Sequence, residues 1–290
     1  MSEPPEERLA DGVRSESESV FDAAGRRHRV LFEEQAHRLA GDNRCHLRRV
    51  FEAALREGIV PFRYLRNQQV LSTADQLTLC RSCAAVIGAG GLGGWVAELL
   101  ARLGIGAMRI VDPDHFTESN LNRQRFARRE TLGAAKVEVV KREISSINPG
   151  VEVSGFQERL SRGNGVRLVA GADLAVDGLD SIPARLSLQS VCEEAGIPMV
   201  HGAIAGFEGQ VLTIRPGDPG IRNLYGEQPA EVSQPEAVLG VPAAAPLMIG
   251  GLQVMEVLKL LLDRPSAPAG TMLYLDLHAP ALERFGFPSA

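Results

Sequence analysis

The sequence predicts a doubly wound α/β domain, and three observations predict it. From residue 84 onward, short apolar runs of strand type alternate with longer runs of helical period. The first of these strands opens directly into a glycine-rich loop, Gly88-Ala89-Gly90-Gly91-Leu92-Gly93, and a helix follows. The second strand ends on an acidic residue, Asp112, 24 residues after Gly88. A strand, a glycine turn, a helix and an acid-tipped second strand are the parts with which a parallel sheet builds a nucleotide site at the carboxyl ends of its strands.

Residues 1–25 hold seven acidic residues against two basic ones, together with Pro4, Pro5 and repeated Ser. So few large apolar side chains cannot offset the entropy of ordering, and the segment reads as a disordered acidic tail. From Arg26 to Arg66 ten arginines stand against five acidic residues. Val30, Leu31, Glu34 and Arg38, then Leu47, Val50, Phe51, Ala54 and Leu55, recur at three- and four-residue spacing, with Gly41 and Gly58 ending the two runs. Residues 26–62 therefore read as a helical extension docked on the main domain. The interleaved acids favour that reading over a nucleic-acid arm.

Residues 63–290 form the main domain. Its elements are a strand Ala84–Ile87, a helix Trp95–Leu103, a strand Ala107–Val111, a helix Lys136–Ile147 and strands Val151–Phe156 and Leu174–Val176. A helix from about Ala184 to Ala195, strands near Met199-Val200 and Val211–Ile214, an apolar helix Gln253–Leu262 and a closing strand Met272–Leu277 complete it. The fold class is a Rossmann-like doubly wound sheet with additional C-terminal strands and an N-terminal helical extension.

Composition limits the function classes. A net charge of −5 and 44% hydrophobic residues are those of a soluble globular chain. Net acidity argues against non-specific nucleic-acid binding, which needs a basic field. No apolar run reaches the roughly 18 residues of a membrane span, so no membrane is expected. Cys45, Cys80, Cys83 and Cys192 are too sparse for a disulfide framework, and with no signal peptide before them they suggest a reducing cytoplasm.

In the glycine loop, Gly88 makes the tight turn, Gly90 admits a phosphate close to the backbone, and Gly93 lets the helix pack closely. Alone, this motif names a nucleotide and not a reaction, and an NAD-dependent oxidoreductase is its default reading. Asp112 suits ribose hydroxyls in an NAD or an ATP site, or it caps the turn before Pro113. The stretch Ser119-Asn120-Leu121-Asn122-Arg123-Gln124 with Lys136 adds an amide, a guanidinium and an amine, which suit phosphate. Asp177 and Asp180, after the strand Leu174–Val176, supply carboxylates, and magnesium needs only one or two beside phosphate and water. Nucleotidyl transfer requires those groups, whereas hydride transfer requires an apolar nicotinamide pocket.

Val86 to Gly93, Asp112, Ser119 to Gln124, Lys136, Asp177 to Ser181 and the run His201-Gly202-Ala203-Ile204-Ala205-Gly206-Phe207-Glu208-Gly209-Gln210-Val211 together resemble the ThiF/MoeB/HesA family, bacterial relatives of ubiquitin-activating enzymes. The resemblance runs from about Arg63 to Leu277 with its motifs in the same order. It implies binding of MgATP and adenylation of the C-terminal glycine of a small β-grasp sulfur-carrier protein ending in Gly-Gly. Carried over by position, Gly88, Gly90, Gly91, Gly93, Asp112 and Ser181 bind ATP, Asn120, Arg123 and Lys136 contact phosphate, and Asp180 is the magnesium ligand. Arg63-Tyr64-Leu65-Arg66-Asn67-Gln68 resembles the family's arginine-bearing entry segment, which makes Arg66 a finger reaching the neighbouring subunit's ATP in a homodimer.

Two cysteine features of the family are missing. The positions of a structural zinc read Ile221-Arg222-Asn223-Leu224, and the lone Cys80/Cys83 pair precedes the first strand, so zinc is not expected and the pair reads as ordinary thiols. Ser233 to Gly240 contains no cysteine where some relatives form a covalent link to the carrier. Adenylation alone is therefore expected, with sulfur supplied by a separate donor. Cys192 reads as core and His201 as a hydrogen-bonded structural histidine. The alternatives are a nucleotide-binding scaffold without turnover, a peptide or a tRNA base as the adenylated substrate, and the NAD-dependent oxidoreductase.

Overall fold

The computed structural model describes residues 5–226, 238–279 and 281–287. The chain divides into two compact units, one of residues 1–82, 101–107 and 145–152, the other of residues 83–100, 108–144 and 153–290.

In the first unit, helix α1 (Pro5–Glu16) leads into an antiparallel hairpin of β1 (Glu18–Phe21) and β2 (Arg27–Leu31). Helices α2 (Glu33–Asp42) and α3 (Leu47–Arg56) follow, and β3 (Val60–Pro61) then pairs with β2 in parallel. The expected disordered tail is thus ordered from residue 5, for two physical reasons. Leu9 and Val13 stand four residues apart and are both buried, which gives α1 one apolar face. The acids of this segment meet the arginines of the next: Glu6 pairs with Arg49 at 3.1 Å and Glu16 with Arg38 at 2.8 Å, while Arg14 reaches Glu57 at 2.6 Å. Exposed pairs contribute about 0–1 kcal/mol each, so apolar burial holds the helix and the charges orient it.

The expected helical extension also differs at its ends. Arg27 and Arg29 face solvent while His28 and Val30 turn inward, a period of two that makes β2 a strand. Helix α2 runs through Gly41, and α3 stops before Gly58, whose φ of +69° suits glycine. The unit continues past the expected boundary at residue 62, through a 3₁₀ turn (Phe62–Asn67) and α4 (Thr73–Arg81). Tyr64 is buried there and its hydroxyl accepts from Asn148 at 2.8 Å, while buried Gln76 donates to the carbonyl of Leu103 at 2.7 Å.

The second unit carries an eight-stranded sheet. Its strands are β4 (Cys83–Ile87), β5 (Ala107–Val111), β6 (Glu152–Phe156), β7 (Leu174–Asp177), β8 (Met199–Ala205), β9 (Glu208–Ile214), β10 (Thr271–Asp276) and β11 (Ala281–Gly286). Their spatial order is β11-β10-β9-β8-β7-β4-β5-β6. β4, β7 and β8 pair in parallel, and β8 to β11 continue as an antiparallel meander, which supplies the additional C-terminal strands. From β4 the chain moves to β5 and β6 on one side and then crosses to β7 on the other. The crevice at the ends of β4 and β7 is therefore a topological switch point, where open α/β sheets bind ligands.

Alternation along the strands assigns the two faces. Ala85, Ile87, Ala175 and Met199 share a core with Leu168 of helix α7 (Gly165–Val169) and Leu188 and Val191 of helix α8 (Ile182–Ala195). Over the other face lies the helix Ala244–Leu261. Gly202 and Gly209 admit it, since a Cβ on either would run into Gln253 or Ile249. Gln253 donates to the carbonyls of Asp177 at 2.8 Å and Val200 at 3.2 Å. Contrary to the expectation that no run is long enough, this 18-residue helix, with mean hydropathy 1.4, has the length and composition to cross a membrane. Its buried Gln253 and Glu256 instead hydrogen-bond within the sheet packing, Glu256 accepting from Thr213 at 3.1 Å.

Removing two methyl groups from the fully buried Val13 tests whether the acidic segment is docked. Val13→Ala is expected to lower unfolding free energy in urea by about 1–3 kcal/mol, within the range of core truncations. A disordered tail would leave the transition unchanged.

Candidate active site

The glycine loop lies where three backbones meet. Gly88 has φ +94°, and its N–H donates to the carbonyl of Val111 at 2.7 Å, tying the end of β4 to β5. A Cβ on Gly88 would collide with the carbonyl of Gly178, and one on Gly93 with the carbonyl of Gly88. Glycine is therefore required at 88 and 93 by the fold itself. Gly90 and Gly91 differ, because a Cβ there would lie 3.5 Å from the Gln124 amide and 3.7 Å from Pro246, in ordinary contact. What a side chain at these two positions would occupy is the cavity.

That cavity has a volume of about 200 Å³. Around it stand Gly88, Gly90, Gly91, Asp112, Arg123, Lys136, Asp180 and Ser181. These eight expected site residues come together from five chain segments. Helix α5 (Gly91–Leu103) and helix α8 both begin at its wall, so unpaired N–H groups and two positive dipole ends face inward. Ser181 is the N-cap of α8, and its side chain makes no capping hydrogen bond.

Asp112 is 5% exposed, and its two oxygens accept from the N–H groups of Ala89 at 2.7 Å and Asp114 at 2.8 Å. Burial pushes its carboxyl up from the ordinary value, while Lys136 and the two N–H groups oppose that shift. Lys136 places Nζ 3.2 Å from Asp114 and 3.9 Å from Asp112, so both carboxylates orient the one amine. Arg123 donates to the carbonyl of Ser119 at 2.9 Å and to the Asn122 side chain at 3.0 Å, which holds it at the rim.

The structure separates the two aspartates that follow β7. Asp177, expected to help hold a metal, is fully buried and already engaged, so it is not available to the cavity. Its oxygens accept from His201 Nδ1 at 2.7 Å and from the N–H of Leu179 at 2.9 Å. Arg185 lies 3.8 Å from it and donates to the Leu179 carbonyl at 2.7 Å. The backbone of Leu179 is thus held at both its N–H and its carbonyl, and the next residue, Asp180, is exposed at the cavity wall. Among the described residues no three His, Cys, Asp or Glu side chains converge on a metal-sized site. The donor set fits magnesium held by one carboxylate together with phosphate oxygens and water.

Other expected residues lie elsewhere. Asn120 does not line the cavity; its Oδ1 accepts from the N–H of Thr117 at 3.0 Å and closes the turn that carries Arg123. Arg66 is an exposed residue of the 3₁₀ turn in the first unit. Cys80 and Cys192 are buried, with thiols pushed up to about 12 by burial. Ser233 to Ala237 lie outside the described residues. His201 is fully buried between Asp177 and Gln210, as expected of a structural histidine.

Gln124, Glu158, Arg159 and Leu160 also line the cavity, and no role was assigned to them from sequence. Gln124 is 8% exposed and its buried Oε1 has no hydrogen-bond partner among the described residues, an arrangement that costs about 1–3 kcal/mol. Its place inside the Ser119–Gln124 motif was the available signal. A second concavity, formed by Arg185, Ala203, Glu208, Gln210, Tyr225 and Tyr274, meets the first at Ile204, which lines both. Ala203, Ala205 and Gly209 are the small residues of its lining.

A glycine cradle at a switch point, with cations and exposed carboxylates facing it, defines a nucleotide-binding protein built to handle phosphate. The chain belongs to the ThiF family, whose model matches residues 64–288. It is 39% identical over 199 residues to the SAMP-activating enzyme E1 of Haloferax volcanii, covering 68% of this chain and 74% of that one. It is 34% identical over 208 residues to the sulfur carrier protein adenylyltransferase of Thermus thermophilus, covering 69% and 77%. Among solved structures, E. coli MccB with ATP matches with a TM-score of 0.68 at 19% identity, covering 79% of this chain and 72% of that chain, a likeness of fold. The protein is an adenylyltransferase.

The two classes of glycine predict opposite phenotypes. Gly93→Ala should fail to fold or lose several kcal/mol, roughly as overpacked sites do, whereas Gly90→Ala should keep the parental melting temperature and lose ATP binding at least about tenfold. Calorimetric titration on the folded variant checks the second. His201 gives a pH prediction. Burial lowers its pKa below the ordinary 6.5, so the unfolded chain binds the extra proton first. Stability is therefore lost as pH falls through about 6.5, and His201→Gln should flatten that part of a urea-unfolding profile.

Proposed function

We propose that the protein uses MgATP to adenylate the C-terminal glycine of a ubiquitin-like sulfur-carrier protein ending in Gly-Gly. The observation that carries this reading is the single cavity in which Gly90 and Gly91 leave room for a ligand beneath Arg123, Lys136 and Asp180. The relatives that act on sulfur carriers, at 33–39% identity, favour a protein carrier over a peptide. Likeness to MccB, at 18–20% identity, speaks to fold alone.

The chemistry needs position and charge. In the proposed step a carboxylate oxygen of the carrier's terminal glycine attacks the α-phosphorus. The bond from that phosphorus to the α–β bridging oxygen breaks, and pyrophosphate leaves. A carboxylate is already ionised, so no general base is required, and the barrier falls through alignment and through cations matched to the departing charge. Asp112 holds the ribose, Lys136 and Arg123 bind phosphate oxygens, and the N-termini of α5 and α8 add N–H donors. Asp180 would hold magnesium, whose charge offsets that of the phosphates. The concavity that shares Ile204 with this cavity takes the carrier's C-terminal tail in this reading, and would deliver its carboxylate beside the glycine loop.

Arg66 acts in trans within a homodimer in this reading, and a separate protein supplies sulfur, because Ser233 to Gly240 has no cysteine. Mixing tests the first point. Arg66→Ala and Asp180→Ala proteins, each inactive alone in carrier-dependent ATP–pyrophosphate exchange, should regain part of the activity together, since one site of the mixed dimer has both groups. Recovery absent, or a monomer in sedimentation at active concentrations, contradicts action in trans. A variant with all four cysteines replaced should keep exchange; a carrier conjugate at Cys80, Cys83 or Cys192 in mass spectra would show that a thiol takes part.

A further inference from the structure

Three of the side chains argued to bind the nucleotide from the cavity wall already have protein partners. Asp112 is bonded at both oxygens, Lys136 lies between two carboxylates, and Arg123 is held by Ser119 and Asn122. Gln124 does not follow that pattern. It is more than nine-tenths buried, its Oε1 has no partner among the described residues, and its Nε2 faces the spot over Gly90, 3.5 Å from where a Cβ would lie. Its backbone is held in place, since its N–H donates to the carbonyl of Asn120 at 2.9 Å and its carbonyl accepts from Ala127 at 3.1 Å.

We propose that Gln124 is a phosphate-contacting residue of the site, its amide Nε2 donating to the phosphoryl oxygen that lies over Gly90. The inference rests on the reading of this cavity as an ATP site. Gly90 lacks a side chain so that a ligand atom can lie against the loop, and the nearest side-chain atom to that position is the Gln124 amide nitrogen. A phosphoryl oxygen there accepts from Nε2, while Oε1 accepts from water in the hydration shell that the polyphosphate carries in. A neutral amide has a further consequence beside Arg123 and Lys136. It binds phosphate without adding charge, so it does not hold back a departing pyrophosphate as a third cation would.

The test compares two ligands that differ only in phosphate. Binding of AMPCPP, a non-hydrolysable ATP analogue, and of adenosine is measured by calorimetry on the parent, Gln124→Leu and Gln124→Glu, with melting temperatures as the control for folding. Gln124→Leu should weaken AMPCPP about tenfold or more and leave adenosine unchanged, as loss of one hydrogen bond to a charged group does. Gln124→Glu, equal in shape but anionic, should weaken AMPCPP further still. Parental affinity for AMPCPP in both variants overturns the inference. So does an equal loss for AMPCPP and adenosine, which marks a structural residue. A parent protein that binds neither ligand instead defeats the ATP-site reading itself. If Gln124→Leu does not fold, the isosteric Gln124→Glu decides alone by the same comparison.

Discussion

The site depends on one contact, the backbone-to-backbone packing of Gly88, Gly93 and Gly178. A Cβ on any of them would meet main-chain atoms of another, so the turn after β4, the first turn of α5 and the turn after β7 close against each other with no side chain between. That contact brings the ends of two strands and the starts of two helices to one point. Because the strand order reverses there, the point is also a crevice. Gly90 and Gly91 then sit at the surface of this packed node, where the same backbone that cannot accept a side chain at 88 and 93 has room for a phosphate.

The division of labour between Asp177 and Asp180 follows from it. Asp177 ends β7 inside the sheet, where a carboxylate survives only with full hydrogen bonding, and His201, the Leu179 N–H and Arg185 supply that. Fixing Asp177 fixes the N–H of Leu179, and Arg185 holds the carbonyl of the same residue. Asp180 is thereby presented to solvent, with no partner among the described residues that a cation would have to displace. The motif Asp177 to Ser181 thus combines a buried anchor with an exposed carboxylate three residues on.

Much of this was legible in the sequence, because period and punctuation agreed. The strand Ala107–Val111 and the helix Lys136–Ile147 have the predicted bounds, since an apolar run bounded by glycine and acid, and a run with apolar residues at helical spacing, each admit one reading. β11 went unread: Ala281–Gly286 has little apolar alternation and is held by pairing along β10. The N-terminal segments misled for a different reason. Acidic residues in 1–25 and arginines in 26–66 read separately as tail and extension, whereas folding sets them against each other over the apolar face of α1. Asp177 and Asp180 are equivalent by residue type; the family resemblance singles out Asp180, and burial supplies the physical reason. Gln124 carried no charge to draw attention, and its importance lies in a missing partner, which no sequence shows.

The central claim is that the cavity directs a carrier's terminal carboxylate at the α-phosphorus of ATP. Intact-mass measurement of a Gly-Gly-ending sulfur carrier, incubated with the protein and MgATP and quenched in acid, tests it most directly. The account predicts a carrier heavier by one AMP moiety, with the addition on the last glycine and absent when that glycine is deleted. An unmodified carrier accompanied by ADP and phosphate, the products of attack at the γ-phosphorus, would contradict it.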